Sequence, residues 1–184
     1  MGVIHVSQEH HVSVVTIDDA ERYNAMSLSM WIDLKQAFDK IQGDTQVRAV
    51  ILRGAGEKAF VSGANISEFE TQRNSEASVA HYNQSVAQAQ EAITRCRVPV
   101  IAAISGAAVA GGMELALWCD MRVMEEDAYF GVFCRRCGVP LIDGGTVRLP
   151  RLIGMGHAMD LILTGRKVSA QEALSMGLAN RVVP

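Results

Sequence analysis

Ser105-Gly-Ala-Ala-Val-Ala-Gly-Gly-Met-Glu-Leu-Ala-Leu-Trp-Cys-Asp120 is the stretch on which the reading of this chain turns. It follows the apolar run Val98-Pro-Val-Ile-Ala-Ala-Ile104, which has the length and β-branched content of a buried strand. Gly111-Gly112 interrupts the chain, and residues 112–118 are rich in helix formers. The spacing therefore predicts a strand, a small-residue loop and a helix. Such a loop lets backbone approach a ligand closely, and a helix start points free N–H groups at it. Glu114 is the one carboxylate in this opening. It reads two ways: a first-turn glutamate favoured by the helix dipole, or an acid/base whose pKa burial would raise. Spacing alone leaves the two level.

Working outward, Val47-Arg-Ala-Val-Ile-Leu52 is a second strand, and Ala59-Phe-Val-Ser-Gly-Ala-Asn-Ile-Ser-Glu-Phe69 reads as a small-residue loop leading into a short helix. The same layout thus occurs twice, with Gly63-Ala64 about fifty residues before Gly111-Gly112. Two N–H groups converging from two such loops would form an oxyanion hole for a polarised carbonyl. Elsewhere, residues 3–6 and 12–17 predict a hairpin, with His10 and His11 solvated at its turn. Ser27 or Ser29 caps a helix whose apolar stripe is Trp31, Leu34, Phe38 and Ile41. Residues 74–96 predict a long polar helix with Ala80, Val86, Ala89 and Ile93 on its apolar side. Short strands are expected at 121–124 and 128–130. Short helices are expected at 146–153, 158–163 and 170–176, the last capped by Ser169, with a final strand after them. Strands alternating with helices make an α/β layered fold.

The 184 residues suit one domain, residues 1–184, able to bury about two thirds of its unfolded surface. A net charge of −3 with no Lys/Arg-rich run argues against nucleic acid as a partner. Charged residues interrupt every apolar run before it reaches membrane-spanning length, so no membrane association is expected. The start lacks the pattern of a secretory signal, and four cysteines fit a reducing compartment, so the expected location is the cytoplasm.

The chain carries no P-loop, H-E-x-x-H or G-x-S-x-G motif. Cys134-Arg-Arg-Cys137 has the spacing of half a zinc site or a redox pair, but the other half is missing, so no metal is expected. Ser62 and Ser105 have no evident base partner as nucleophiles. Asp143, before Gly144-Gly145, either caps the following helix or reaches into the same site as Glu114, with capping the default.

Several of these motifs together resemble the enoyl-CoA hydratase/isomerase (crotonase) family, along essentially the whole chain. Arg22-Tyr-Asn-Ala25 is similar to the family's early CoA-contacting loop; 59–66 looks like its first oxyanion-hole loop, and 105–116, with Cys119-Asp120 following, like its second. The resemblance implies a crotonase-like spiral of repeated ββα units and an acyl-CoA-processing enzyme that stabilises a thioester enolate. It implies that the N–H groups of Ala64 and Gly111 hold the carbonyl, that Glu114 is the first of two hydratase glutamates, and that Arg22, Asn24, Ala25, Ser62, Ala64, Ile66 and Gly111 contact coenzyme A or its thioester. Coenzyme A enters as part of the substrate, not as a resident cofactor. The second hydratase glutamate falls on Cys134, which has a higher thiol pKa and is a poor substitute. Asp143 is the candidate to compensate. Without a second acid, enoyl-CoA isomerase chemistry, another acyl-CoA lyase or hydrolase reaction, or non-catalytic CoA binding are the alternatives. The family's C-terminal helices, which pack in trimers, are not in this sequence; a homotrimer or hexamer remains the expectation.

Overall fold

The computed structural model describes residues 2–184. The chain opens with a hairpin, β1 (Val3–Glu9) against β2 (Val12–Asp18), paired antiparallel with Val6 opposite Val15. Helix α1 (Leu28–Gly43) follows, its Ser27 hydroxyl accepting from the Met30 N–H at 3.2 Å. The predicted stripe Trp31, Leu34, Phe38 and Ile41 is buried.

From there the chain repeats one unit: a strand in a large sheet, a short strand in a second sheet, then helix. The first unit is β3 (Ala49–Gly54), β4 (Ala59–Val61) and the helices α2 (Phe69–Gln72) and α3 (Glu76–Thr94). The second is β5 (Val100–Ile104), β6 (Ala107–Val109) and α4 (Gly111–Trp118). The third is β7 (Met121–Glu125), β8 (Tyr129–Gly131) and α5 (Gly145–Thr164). Strand β9 (Lys167–Ser169), helix α6 (Ala170–Ser175) and strand β10 (Arg181–Val183) complete the chain. The large sheet runs β1-β2-β3-β5-β7-β10 and the small one β4-β6-β8-β9. This is the expected α/β spiral of ββα units.

Both sheets are parallel at their centres; β3, β5 and β7 of the large sheet alternate buried with less buried residues, whereas β4 and β6 of the small sheet are buried throughout. Val50, Leu52, Val100, Ala102, Ile104 and Met124 form one continuous core with α1, α3 and α4. Arg122 on β7 brings a charge into this core, a guanidinium only 2 % exposed. It donates to the carbonyls of Leu178 at 2.7 Å and Cys119 at 3.0 Å, tying the end of α4 to the segment before β10. Burial is the main influence on it and pulls its pKa down.

Three expectations are corrected. Residues 59–61 and 107–109, read as loop, are strands of the small sheet: both are three-residue runs buried throughout, too short to display a period. The two short helices expected at 146–153 and 158–163 are present as the two parts of α5, separated at Gly154, whose φ 77° and ψ 159° are not helical. Ala80 is exposed, and the buried face of α3 begins instead at Tyr82, which lies in register with Val86, Ala89 and Ile93. Strand β9 had no forerunner in the sequence reading.

Candidate active site

Parallel strands end on the same side, so the segments that leave β4, β6 and β8 meet at one edge of the small sheet. A Cβ placed on Gly63 would stand 3.4 Å from the Gly111 nitrogen, and one placed on Gly111 would stand 3.9 Å from the Ala64 nitrogen. The two small-residue loops are therefore in contact. Ala110 takes φ 51°, a conformation an L-residue adopts at a cost of roughly 1–3 kcal/mol and one that recurs at functional sites. Neither the Ala64 N–H nor the Gly111 N–H donates to another group among the described residues. Two unspent donors thus flank one point, as a carbonyl oxygen acquiring charge requires.

The loop carrying Arg22, Asn24 and Ala25 is stitched to this edge by backbone bonds from Ser62 N to Tyr23 O and from Met26 N to Gly63 O. Asn24 is fully buried in the left-handed region, φ 55°. Its amide donates to Ala59 O at 2.7 Å and Ala55 O at 3.0 Å, and its oxygen accepts from Asp19 N at 2.9 Å. It acts as a latch that shapes the loop. Arg22 stands exposed outside, 3.3 Å from Asp19. Ser62 and Ile66 lie on the wall of the adjoining cavity, whereas Arg22, Asn24 and Ala25 are not among its lining residues.

That cavity holds about 260 Å³ and brings Ala64, Gly111, Glu114, Cys134 and Asp143 together. Glu114 is 3 % exposed, and its Oε1 has no hydrogen-bond partner. The dipole-favoured glutamate is thus a buried carboxyl with an orphan oxygen. Burial chiefly, then the nearby Asp143 carboxylate, push its pKa up to about 9; the amides of Gly145 and Ile142 pull the other way. The close approach depends on Gly145, where a Cβ would fall 2.7 Å from Oε1.

Asp143 does not cap α5: Gly144 occupies the cap position and no side-chain cap bond is made. The default reading of this residue is overturned, because the chain turns through the left-handed region at Asp143 (φ 53°) and Gly144 (φ 84°) and puts Asp143 on the cavity wall. Trp118 Nε1 holds its carbonyl at 2.9 Å, and Arg148 covers the Trp118 ring at 3.8 Å. Burial raises the Asp143 pKa and the Arg73 cation opposes. Cys134, half-buried, arrives from the end of β8; burial first and Glu114 second push its thiol up. All four cysteines are free, and among the described residues no cluster of three or more His, Cys, Asp or Glu side chains forms a metal site.

A family model described as enoyl-CoA hydratase/isomerase matches residues 7–184. The chain belongs to the enoyl-CoA hydratase/isomerase family. A short-chain-enoyl-CoA hydratase of Clostridium acetobutylicum is 40 % identical over 179 residues, covering 97 % of this chain and 67 % of that protein. A crotonyl-CoA hydratase of Syntrophomonas wolfei is 36 % identical over 97 % of this chain and 68 % of its own length. The crystal structure of an enoyl-CoA hydratase from Bacillus anthracis superposes with a TM-score of 0.93 at 40 % identity, over 98 % of this chain and 70 % of that one. The chain spans about two thirds of these relatives.

The sequence reading missed Arg73, Tyr82 and Ile142 as cavity residues. Tyr82 had a usable signal, its register with Val86, Ala89 and Ile93. Arg73 and Ile142 sit in connecting segments, where spacing says nothing about direction.

Proposed function

We propose that this protein hydrates the double bond of enoyl-CoA thioesters. The observation that carries the proposal is the pair of unspent N–H groups at Ala64 and Gly111 beside a buried Glu114 carboxyl whose Oε1 has no hydrogen-bond partner. In this reading the thioester oxygen accepts from both N–H groups, which stabilise the charge as the enolate develops. Each such donor is worth about 2.7–4 kcal/mol. Glu114, held protonated at neutral pH, is placed to deliver a proton to the α-carbon. Asp143, whose pKa burial raises against the opposing Arg73 cation, is placed to take a proton, when ionised, from the water that adds to the β-carbon. Asp143 then supplies the carboxylate that Cys134 does not. Arg22 and the loop it lies on, with Ser62 and Ile66, would carry the coenzyme A portion of the substrate. A cytoplasmic homotrimer or hexamer belongs to the same proposal, and sedimentation of the purified chain reads its size.

Initial rates of water addition to crotonyl-CoA test the assignment. Glu114→Gln is expected to lower kcat/KM by about 10²–10⁴. Turnover equal to wild type would remove Glu114 from the mechanism. A second reading is favoured by Cys134 itself: with one carboxylate beside the enolate, Glu114 in its ionised form takes a proton from the α-carbon and returns it to the γ-carbon. Conversion of a 3-enoyl-CoA to its 2-enoyl isomer, without hydration, would establish it.

A further inference from the structure

Arg73, between α2 and α3, lines the same cavity as Glu114 and Asp143 and is the one cation among the residues that do so. Its guanidinium carbon lies 4.2 Å from the Phe69 ring centroid and 5.8 Å from that of Tyr82. Rings that stack on a guanidinium cover its faces and leave its edge, which carries all five N–H donors, open. None of those donors enters an ion pair or a hydrogen bond among the described residues. Asp143 is an anion within electrostatic reach, yet the two form no ion pair among the described residues.

The groups that share the cavity give the free edge a meaning. Ala64, Gly111, Glu114, Asp143 and Arg73 all line this one cavity. Ala64 and Gly111 adjoin each other at the Glu114 side, since α4 begins at Gly111. An acyl chain held at its carbonyl by Ala64 and Gly111 occupies a cavity whose one lining cation is Arg73. At about 260 Å³ the cavity is at the small end for ligand sites, which limits the chain to a few carbons. A terminal methyl offers a guanidinium nothing in return for its lost water. A terminal carboxylate offers a planar, two-point partner for the open edge.

We propose that Arg73 forms a subsite for an acidic group on the acyl chain, so that the preferred substrates are short enoyl-CoA thioesters with a carboxylate on the distal carbon. The proposal rests on the acyl-CoA reading of the cavity but not on any particular reaction, so binding of unreactive thioesters tests it. Pentanoyl-CoA and glutaryl-CoA have equal numbers of acyl carbons and differ only in a terminal methyl against a carboxylate. Titration calorimetry on the wild-type chain is expected to find glutaryl-CoA bound about tenfold more tightly, as one charge-assisted pair would give. Arg73→Met should bring the ratio of the two affinities to about one, Arg73→Lys should keep part of it, and added salt should shrink it in the wild type. Equal affinities in the wild type, or a preference that survives Arg73→Met, would overturn the subsite. Failure of both thioesters to bind would overturn the acyl-CoA reading itself, and the subsite with it.

Discussion

Glu114 and Asp143 reach one cavity from different elements, and their surroundings push them to unequal degrees. Glu114 has no cation at hand and an anion beside it, so burial carries its pKa to about 9. Asp143 is raised by burial but has Arg73 to oppose the rise. Two carboxyls whose environments separate them divide naturally into an acid and a base. Asp143→Asn is accordingly expected to lower crotonyl-CoA hydration by about 10²–10³. Cys134 adjoins Glu114 on the same wall, so adding Cys134→Glu to the Asp143→Asn chain supplies a carboxylate from another direction. Partial recovery of the initial rate is expected. A full rate in Asp143→Asn alone would show that Asp143 holds no proton in the reaction.

At the scale of elements, the site depends on how closely α4 approaches the small sheet. A Cβ on Gly112 would fall 1.8 Å from the Val61 carbonyl oxygen, a backbone atom of β4 that cannot swing aside. On Gly111 the nearest atom would be the Gly63 Cα at 3.5 Å, an ordinary contact. Urea denaturation of the two alanine variants should separate them: Gly112→Ala losing about 3 kcal/mol or more by overpacking, Gly111→Ala changing by less than about 1 kcal/mol. Comparable losses would mean that α4 is not seated on β4. The same contact explains what was legible in the sequence. Gly63-Ala64 and Gly111-Gly112 announce themselves because only small residues allow two backbones so near, and Trp31, Leu34, Phe38 and Ile41 show a full helical period. The small sheet left no such mark. Ala107-Ala-Val109 and Ala59-Phe-Val61 are buried on every side chain, so no alternation survives, and three residues are too few to tell a strand from a loop. The turn of Asp143 toward Glu114 was equally hidden, since it depends on left-handed backbone at Asp143 and Gly144 and on Trp118 holding a carbonyl from another helix.

For the molecule as a whole, the buried Glu114 ties stability to pH. In the unfolded chain its carboxyl releases its proton near the ordinary value of 4.5, and in the folded chain near 9. Below 4.5 both states hold the proton and above 9 neither does, so neither region contributes a slope. Between them the folded state alone holds it; the unfolded state binds fewer protons, and stability falls as pH rises, at up to about 1.4 kcal/mol per pH unit. Asp143, also raised, acts with the same sign. Glu172, lowered chiefly by its bond to Arg166, acts with the opposite sign. That pair is substantially exposed, so its influence is small, and it lies toward the acid end, where the depressed value separates from the unfolded one. The net expectation is a protein that loses stability from pH 6 to pH 9 through this buried carboxyl. Urea midpoints measured at intervals across that range should fall steadily for the wild type and stay nearly level for Glu114→Gln, whose amide has no proton to lose. A slope unchanged in the variant would show that the carboxyl is ionised in the folded chain at neutral pH. It would then start the reaction as the base, and the roles assigned to Glu114 and Asp143 would exchange.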